Sequence, residues 1–129
     1  GVVRTAAALL LSQRKTIFLL AYDKKKMIGY VSLVFPRFKK MKGNAYLTIA
    51  LKKEYRGQGI GTILMDKAEE YALGRGARRI ELEVFAKNTG AKKLYETLGY
   101  VVEGIKKEAV TDIDGYDDIV IMAKKIKKA

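Results

Sequence analysis

The sequence predicts an α/β fold: a mixed central sheet with one parallel strand–helix–strand crossover and helices on both faces. Three observations carry this. Short runs of alternating apolar and polar residues recur along the chain, three stretches read as helices instead, and a glycine-rich turn leads from a strand straight into the second of them. With 129 residues, 1–129 is expected to be a single domain able to bury a core without metals or disulfides.

The elements follow in order. Residues from Val2 to Gln13 read as an amphipathic or buried helix, and no strand is evident ahead of it. Its apolar part, Ala6 to Leu11, is cut off by Ser12-Gln13-Arg14-Lys15, too soon for a membrane span and with a poor cleavage site. No membrane association is expected, and the expected compartment is the cytoplasm. Thr16 to Tyr22 and Met27 to Phe35 are strands flanking the polar turn Asp23-Lys24-Lys25-Lys26, a hairpin. Ala45 to Leu51 is a third strand. The turn from Tyr55 to Thr62 then opens a helix whose apolar face is Ile60, Leu64, Ala68, Tyr71 and Ala72, closed by Gly74-Arg75-Gly76. Arg79 to Phe85 is a strand with Ile80, Leu82 and Val84 on one side and Glu81, Glu83 and Phe85 on the other. Asn88 or Thr89 caps a short helix with Ala91, Leu94, Tyr95 and Leu98 on its apolar side, ended by Gly99. Tyr100 to Glu108 and Gly115 to Ala123 are the last two strands, around an acidic loop.

Composition narrows the chemistry. The chain has neither cysteine nor histidine, which removes the usual structural zinc ligands, thiol nucleophiles and Ser-His triads. Acid–base work near neutral pH falls to carboxylates, tyrosine, lysine or a bound coenzyme. Net charge is +12, and residues 1–60 hold 13 Lys/Arg against 2 Asp/Glu. Such a field attracts phosphates, so a non-catalytic, basic nucleic-acid-binding module is the alternative reading. The chain lacks the aromatic-and-basic strand signature of an RNA-recognition sheet, which weighs against it. A lysine-rich solvated surface accounts for the charge, and a phosphate-bearing coenzyme would also be drawn to it.

The turn Arg56-Gly57-Gln58-Gly59-Ile60-Gly61-Thr62 places three glycines within five residues at the start of a helix. Backbone N–H groups there can converge on a pyrophosphate, helped by the helix dipole. No lysine follows Gly61, so it is not a P-loop. It resembles the coenzyme-A motif of the GNAT superfamily, (Arg/Gln)-x-x-Gly-x-(Gly/Ala). A second stretch, Asn88-Thr89-Gly90-Ala91-Lys92-Lys93-Leu94-Tyr95-Glu96-Thr97-Leu98-Gly99-Tyr100, resembles that superfamily's pattern Asn-x-x-Ala-x-x-Leu-Tyr-x-x-x-Gly-(Phe/Tyr). The resemblance covers roughly Thr16 to Ile126.

The resemblance implies a GNAT fold and an acetyl-coenzyme-A-dependent N-acetyltransferase acting by direct attack of a primary amine, with acetyl-coenzyme A as co-substrate and no metal. Backbone groups of Ile49, Ala50 and Leu51 would pair with pantetheine, with amides near Ala50 polarising the acyl carbonyl. Gly57, Gln58, Gly59, Ile60, Gly61 and Thr62 would hold the pyrophosphate, with Arg56 at the entrance, and Asn88 would touch the pantetheine arm. Tyr95 would protonate the departing thiolate. Packing against Leu94 and Leu98 is the plainer role for Tyr95.

In the similar N-terminal-alanine acetyltransferases of ribosomal proteins, a glutamate at the position of Glu83 acts as general base, twelve residues before the tyrosine, as here. A salt bridge from Glu83 to Lys87 or Arg79 is the structural alternative. The tail from Val102 to Met122 looks more like the generic small-substrate members, and the strand usual before the first helix is lacking. The expected partner is an amine acceptor: a peptide N-terminus, a polyamine or a small amine. A homodimer is left open. Asp112, Asp114, Asp117 and Asp118 fall within seven residues, and by the resemblance their loop borders the acceptor entrance. They are expected to form a negative field there.

Overall fold

The computed structural model describes residues 16–126 together with the strand placement of 3–5 and 9–10. Strands β1 (Val3–Thr5) and β2 (Leu9–Leu10) both pair antiparallel with β3 (Thr16–Asp23). This corrects the helix expected over 2–13, since the described parts of that segment are strands; its remaining residues lie outside the described residues. The physical reason is the outer edge of β3, whose N–H and C=O groups need partners. A helix of about three turns is marginal in isolation and satisfies none of them. The expectation that no strand precedes that helix falls with it, because β1 and β2 occupy the same segment.

The hairpin of β3 and β4 (Lys26–Val34) is extended by β5 (Asn44–Leu51), which leads through the glycine-rich turn into α1 (Ile60–Gly74). Then come β6 (Arg79–Phe85), α2 (Thr89–Thr97), β7 (Val101–Asp112) and β8 (Gly115–Lys125). The sheet order is β1-β3-β4-β5-β6-β8-β7, with β2 joined to β3, and β5–β6 is its one parallel pair. The crossover α1 therefore sits where the strand spacing placed it.

Alternation decides the two faces. Ile17, Leu19, Val31, Leu33, Ala45, Leu47, Ile80 and Leu82 point to one side and are buried against Leu64, Met65, Ala68 and Ala72 of α1. Helix α2 shares that face. Its Tyr95 ring meets Tyr100 edge-on at 6.2 Å, and the Tyr100 hydroxyl donates to Glu69 Oε2 of α1 at 3.0 Å. Lys124 donates to the other oxygen of Glu69 at 2.8 Å. Among the described residues, then, the expectation of helices on both faces is met on one face only. No helix among them is long and apolar enough to cross a membrane.

One irregularity creates the site. Strands β5 and β6 pair only from Asn44↔Arg79 to Leu47↔Leu82. Beyond that point β5 continues to Leu51 and β6 to Phe85 without pairing to each other, leaving a gap in the sheet.

Candidate active site

The gap exposes backbone. Lys52 N–H donates to Ile28 C=O at 2.8 Å, in register with the Tyr30↔Ala50 pair. Antiparallel ladders alternate, so Ala50 spends its N–H and C=O on β4, while those of Ile49 and Leu51 point into the gap. Ala50's own backbone, expected with that of Ile49 and Leu51 to pair with pantetheine, is therefore turned away, and the amides near Ala50 that face the gap are those of Ile49 and Leu51. The Leu51 carbonyl accepts from Arg56 Nε at 3.0 Å, which ties the end of β5 to the turn.

That turn needs glycine for torsional reasons. Gly57 and Gly59 have φ of 75° and 84°, and a Cβ built on either would meet nothing within 4 Å. Gly59 caps α1 with no side-chain bond, so the first-turn N–H groups keep their donor capacity. Ile49, Ala50, Leu51, Arg56, Gly57, Gly59, Gly61, Thr62 and Asn88 all line one cleft of about 910 Å³. Gln58 and Ile60 do not. The Gln58 side chain donates to Glu54 C=O at 2.9 Å, and Ile60 is buried in the core. Asn88 lines the cleft while its Oδ1 caps α2, accepting from Ala91 N–H at 3.1 Å.

A smaller cavity of about 210 Å³ opens between the parted strands, lined by Tyr46, Thr48, Glu81, Glu83 and Tyr95 among others. Ile49 and Tyr95 line both cavities, so the two meet there. Tyr95 is 7% exposed, and its hydroxyl makes no hydrogen bond with any described residue. Burial raises its phenol above the ordinary value, which keeps it protonated and able to donate. Glu83 Oε2 accepts from Lys106 Nζ at 2.8 Å; neither Lys87 nor Arg79 is its partner. The hydrogen bond to Glu83 and its negative charge hold the Lys106 ammonium above its ordinary pKa. Arg79 instead pairs with Glu81 at 3.1 Å and with Glu103.

A sequence model of the acetyltransferase (GNAT) family matches residues 3–100. The chain belongs to this family. A [ribosomal protein bS18]-alanine N-acetyltransferase from Escherichia coli K12 is 36% identical over 75 residues, covering 58% of this chain and 51% of that protein. The chain spans about half the length of the curated relatives it matches. The crystal structure of a GNAT-family acetyltransferase from Streptococcus pneumoniae superposes with a TM-score of 0.81 at 31% identity, covering 88% of this chain and 69% of that one. That of the ribosomal-protein-S18-alanine N-acetyltransferase from Escherichia coli gives 0.81 at 28% identity, covering 92% and 74%.

Within this GNAT sheet the acidic loop behaves differently from expectation. Asp117 is buried and accepts from the backbone N–H groups of Lys87 at 3.1 Å and Asp118 at 2.8 Å. Asp118 accepts from Glu108 N–H at 2.8 Å and from Lys107 Nζ at 3.2 Å. Asp112 accepts from Ile113 N–H and Lys87 Nζ. None of the four aspartates lines either cavity. Asp112, Asp117 and Asp118 are held by nearby N–H and ammonium donors of the fold, and the carboxylates facing the small cavity are Glu81 and Glu83.

Tyr46 and Thr48 also line the small cavity, and their signal in the sequence is that both alternate with the buried Ala45 and Leu47 and share the face of Glu81 and Glu83. Gly29 lies opposite Leu51, and a Cβ there would fall 2.7 Å from Ala50 C=O. A glycine inside a strand is the signal for such a close approach.

Proposed function

We propose that the protein is an acetyl-coenzyme-A-dependent N-acetyltransferase that transfers the acyl group directly to a primary amine. The observation that carries the reading is the meeting of the two cavities at Tyr95 and Ile49, where the sheet parts. The large cleft suits the coenzyme. It has free amide donors at a helix N-terminus for a pyrophosphate, and the inward-facing backbone of Ile49 with the Leu51 N–H for an extended, amide-bearing arm. The small cavity suits the amine-bearing end of the acceptor.

Acetyl-coenzyme A supplies an acyl carbon already activated as a thioester. The chain's own groups manage the protons. Glu83 accepts one proton from the acceptor ammonium, directly or through water, which frees the nitrogen lone pair. As the C–N bond forms and the C–S bond breaks, the Tyr95 hydroxyl gives its proton to the sulfur. It regains one from the nitrogen that becomes the amide. The inward-pointing amides of Ile49 and Leu51, rather than that of Ala50, are the backbone donors available to the acyl oxygen.

The relatives named for ribosomal-protein alanine favour a peptide N-terminus as acceptor, and the small cavity favours a small first residue. Thiol release from acetyl-coenzyme A, measured across peptide N-termini, polyamines, amino acids and small amines, tests this. A peptide with a free N-terminal alanine is expected to lead the panel. Glu83→Gln should lose most activity at low pH, where the amine is most protonated. No thiol release with any amine, and no thermal stabilisation by saturating acetyl-coenzyme A, would sink the reading.

A further inference from the structure

Glu83 draws its cation from far away. Glu83 lies opposite Ile121, Ile121 opposite Gly104, and Lys106 opposite Ile119. The Lys106 side chain therefore crosses two strand spacings, about 10 Å, over Ile119 and Ile121. The groups facing Glu83 are few. Glu81 on its own strand is tied to Arg79, β5 contributes Tyr46 and Thr48, α2 contributes Tyr95, and β8 offers no charge in between.

The face that Lys106 presents is set by the bulge between Val102 and Gly104, and a second bulge follows it directly. Lys106 pairs with Ile119 and Val110 with Asp117, so Lys107, Glu108 and Ala109 share the single partner position of Asp118. Glu108 has φ of 51°, a left-handed conformation that disfavours a side chain. Asp118 sustains it by accepting from Glu108 N–H and Lys107 Nζ. The aspartate expected to attract the acceptor thus shapes the strand that presents Lys106.

Resting on the reading of Glu83 as the base, we infer that Lys106 is a stand-in for the acceptor: its ammonium sits on Glu83 where the acceptor ammonium must sit, and a cationic acceptor displaces it. The pair is 52% and 44% exposed, so the contact is weak and readily exchanged. Swapping one ammonium for another leaves the cavity's charge balance unchanged. A neutral or anionic acceptor has nothing to offer in exchange, which makes Lys106 a filter for cations. A lysine is charged at neutral pH, and Glu83 moves the Lys106 pKa further up, so the stand-in stays cationic.

The test uses Lys106→Met, Lys106→Arg, Glu83→Gln and the Glu83→Gln/Lys106→Met double variant. Thiol release is measured with acetyl-coenzyme A and a peptide bearing a free N-terminal alanine. Lys106→Met should lower the peptide KM roughly fivefold at low ionic strength, with the effect on KM rather than kcat. The gain should fade at high salt as screening sets in. Lys106→Arg should restore the wild-type KM, and in the Glu83→Gln background Lys106→Met should add nothing. A raised KM or lowered kcat in Lys106→Met overturns the inference, as does a gain that survives without Glu83. Wild-type rates in Glu83→Gln would remove the base reading itself; an unchanged KM in Lys106→Met beside a damaged Glu83→Gln removes only the stand-in. Calorimetric titration of the peptide into coenzyme-loaded protein makes the same comparison without turnover. Equal affinity of the wild type and Lys106→Met there overturns it as well.

Discussion

The two cavities that meet at Tyr95 are built from different materials. The large cleft brings its main-chain features, positive-φ glycines, the open end of a helix and a strand segment unpaired to β6, together with apolar side chains such as Met27, Tyr30 and Leu94. The small cavity is made of side chains gathered from β5, β6 and α2, with a lysine from β7 held over it. A main-chain site depends on torsions that most substitutions leave alone. A side-chain site changes with each replacement. Binding of the coenzyme should therefore be durable, while acceptor choice hangs on a few exchangeable groups.

Four substitutions sharpen or break that comparison. Tyr95→Phe should lower turnover about 100-fold or more while leaving coenzyme affinity almost intact, because the ring still packs on Tyr100. A loss of coenzyme binding instead would make Tyr95 a packing residue. Next comes Gly59→Val. Acetyl-coenzyme A at 100 times its Kd should stabilise the wild type by about 2.7 kcal/mol, and this variant should lose that shift in thermal melts. Its apo form should melt at a lower temperature but still cooperatively, since the positive φ strains valine while its Cβ meets open space at the surface.

Tyr100→Phe deletes the bond to Glu69 and should cost roughly 1.5–3 kcal/mol by chemical denaturation at neutral pH. Burial and the Glu69 charge raise the Tyr100 phenol well above 10.0. A raised pKa gives stability that is present below the ordinary value and lost as pH climbs past it. The wild type should therefore weaken above about pH 10, and the Phe variant should weaken less steeply. Smallest of all, Asp112→Asn should leave the acceptor KM unchanged at low ionic strength. A raised KM would return the acidic loop to the acceptor site.

The same contrast of materials decides what could be read from the chain. Gly57, Gly59 and Gly61, Asn88 as a cap and Gly99 as a stop are local devices, visible within a few residues of the structure they cause. The crossover followed from strand spacing in the same way. The Lys106–Glu83 pair spans 23 positions and depends on the bulge between Val102 and Gly104, for which alternation offers no cue. The aspartates of the β7–β8 loop were visible as a cluster but not as acceptors of particular N–H groups, because those donors come from Lys87 and Glu108. At Ala50 the residue was in the right place, but the phase of the β4–β5 ladder, which sequence does not encode locally, turned its amide away. The first residues failed for a further reason: an apolar run fits helix and strand alike until the neighbouring edge is known.

The gap between β5 and β6 has a consequence for how long the protein survives. Four register pairs, ending at Leu47↔Leu82, and the bonds from Arg78 and Arg79 N–H to Gly43 C=O join the two halves of the sheet edge to edge. A bound coenzyme arm lying along Ile49 and Leu51 would act as a missing rung and suppress the opening that exposes the chain to proteases. Abundance would then follow supply, with the enzyme persisting while its acyl donor is plentiful and being cleared when the donor runs short, without any dedicated regulator.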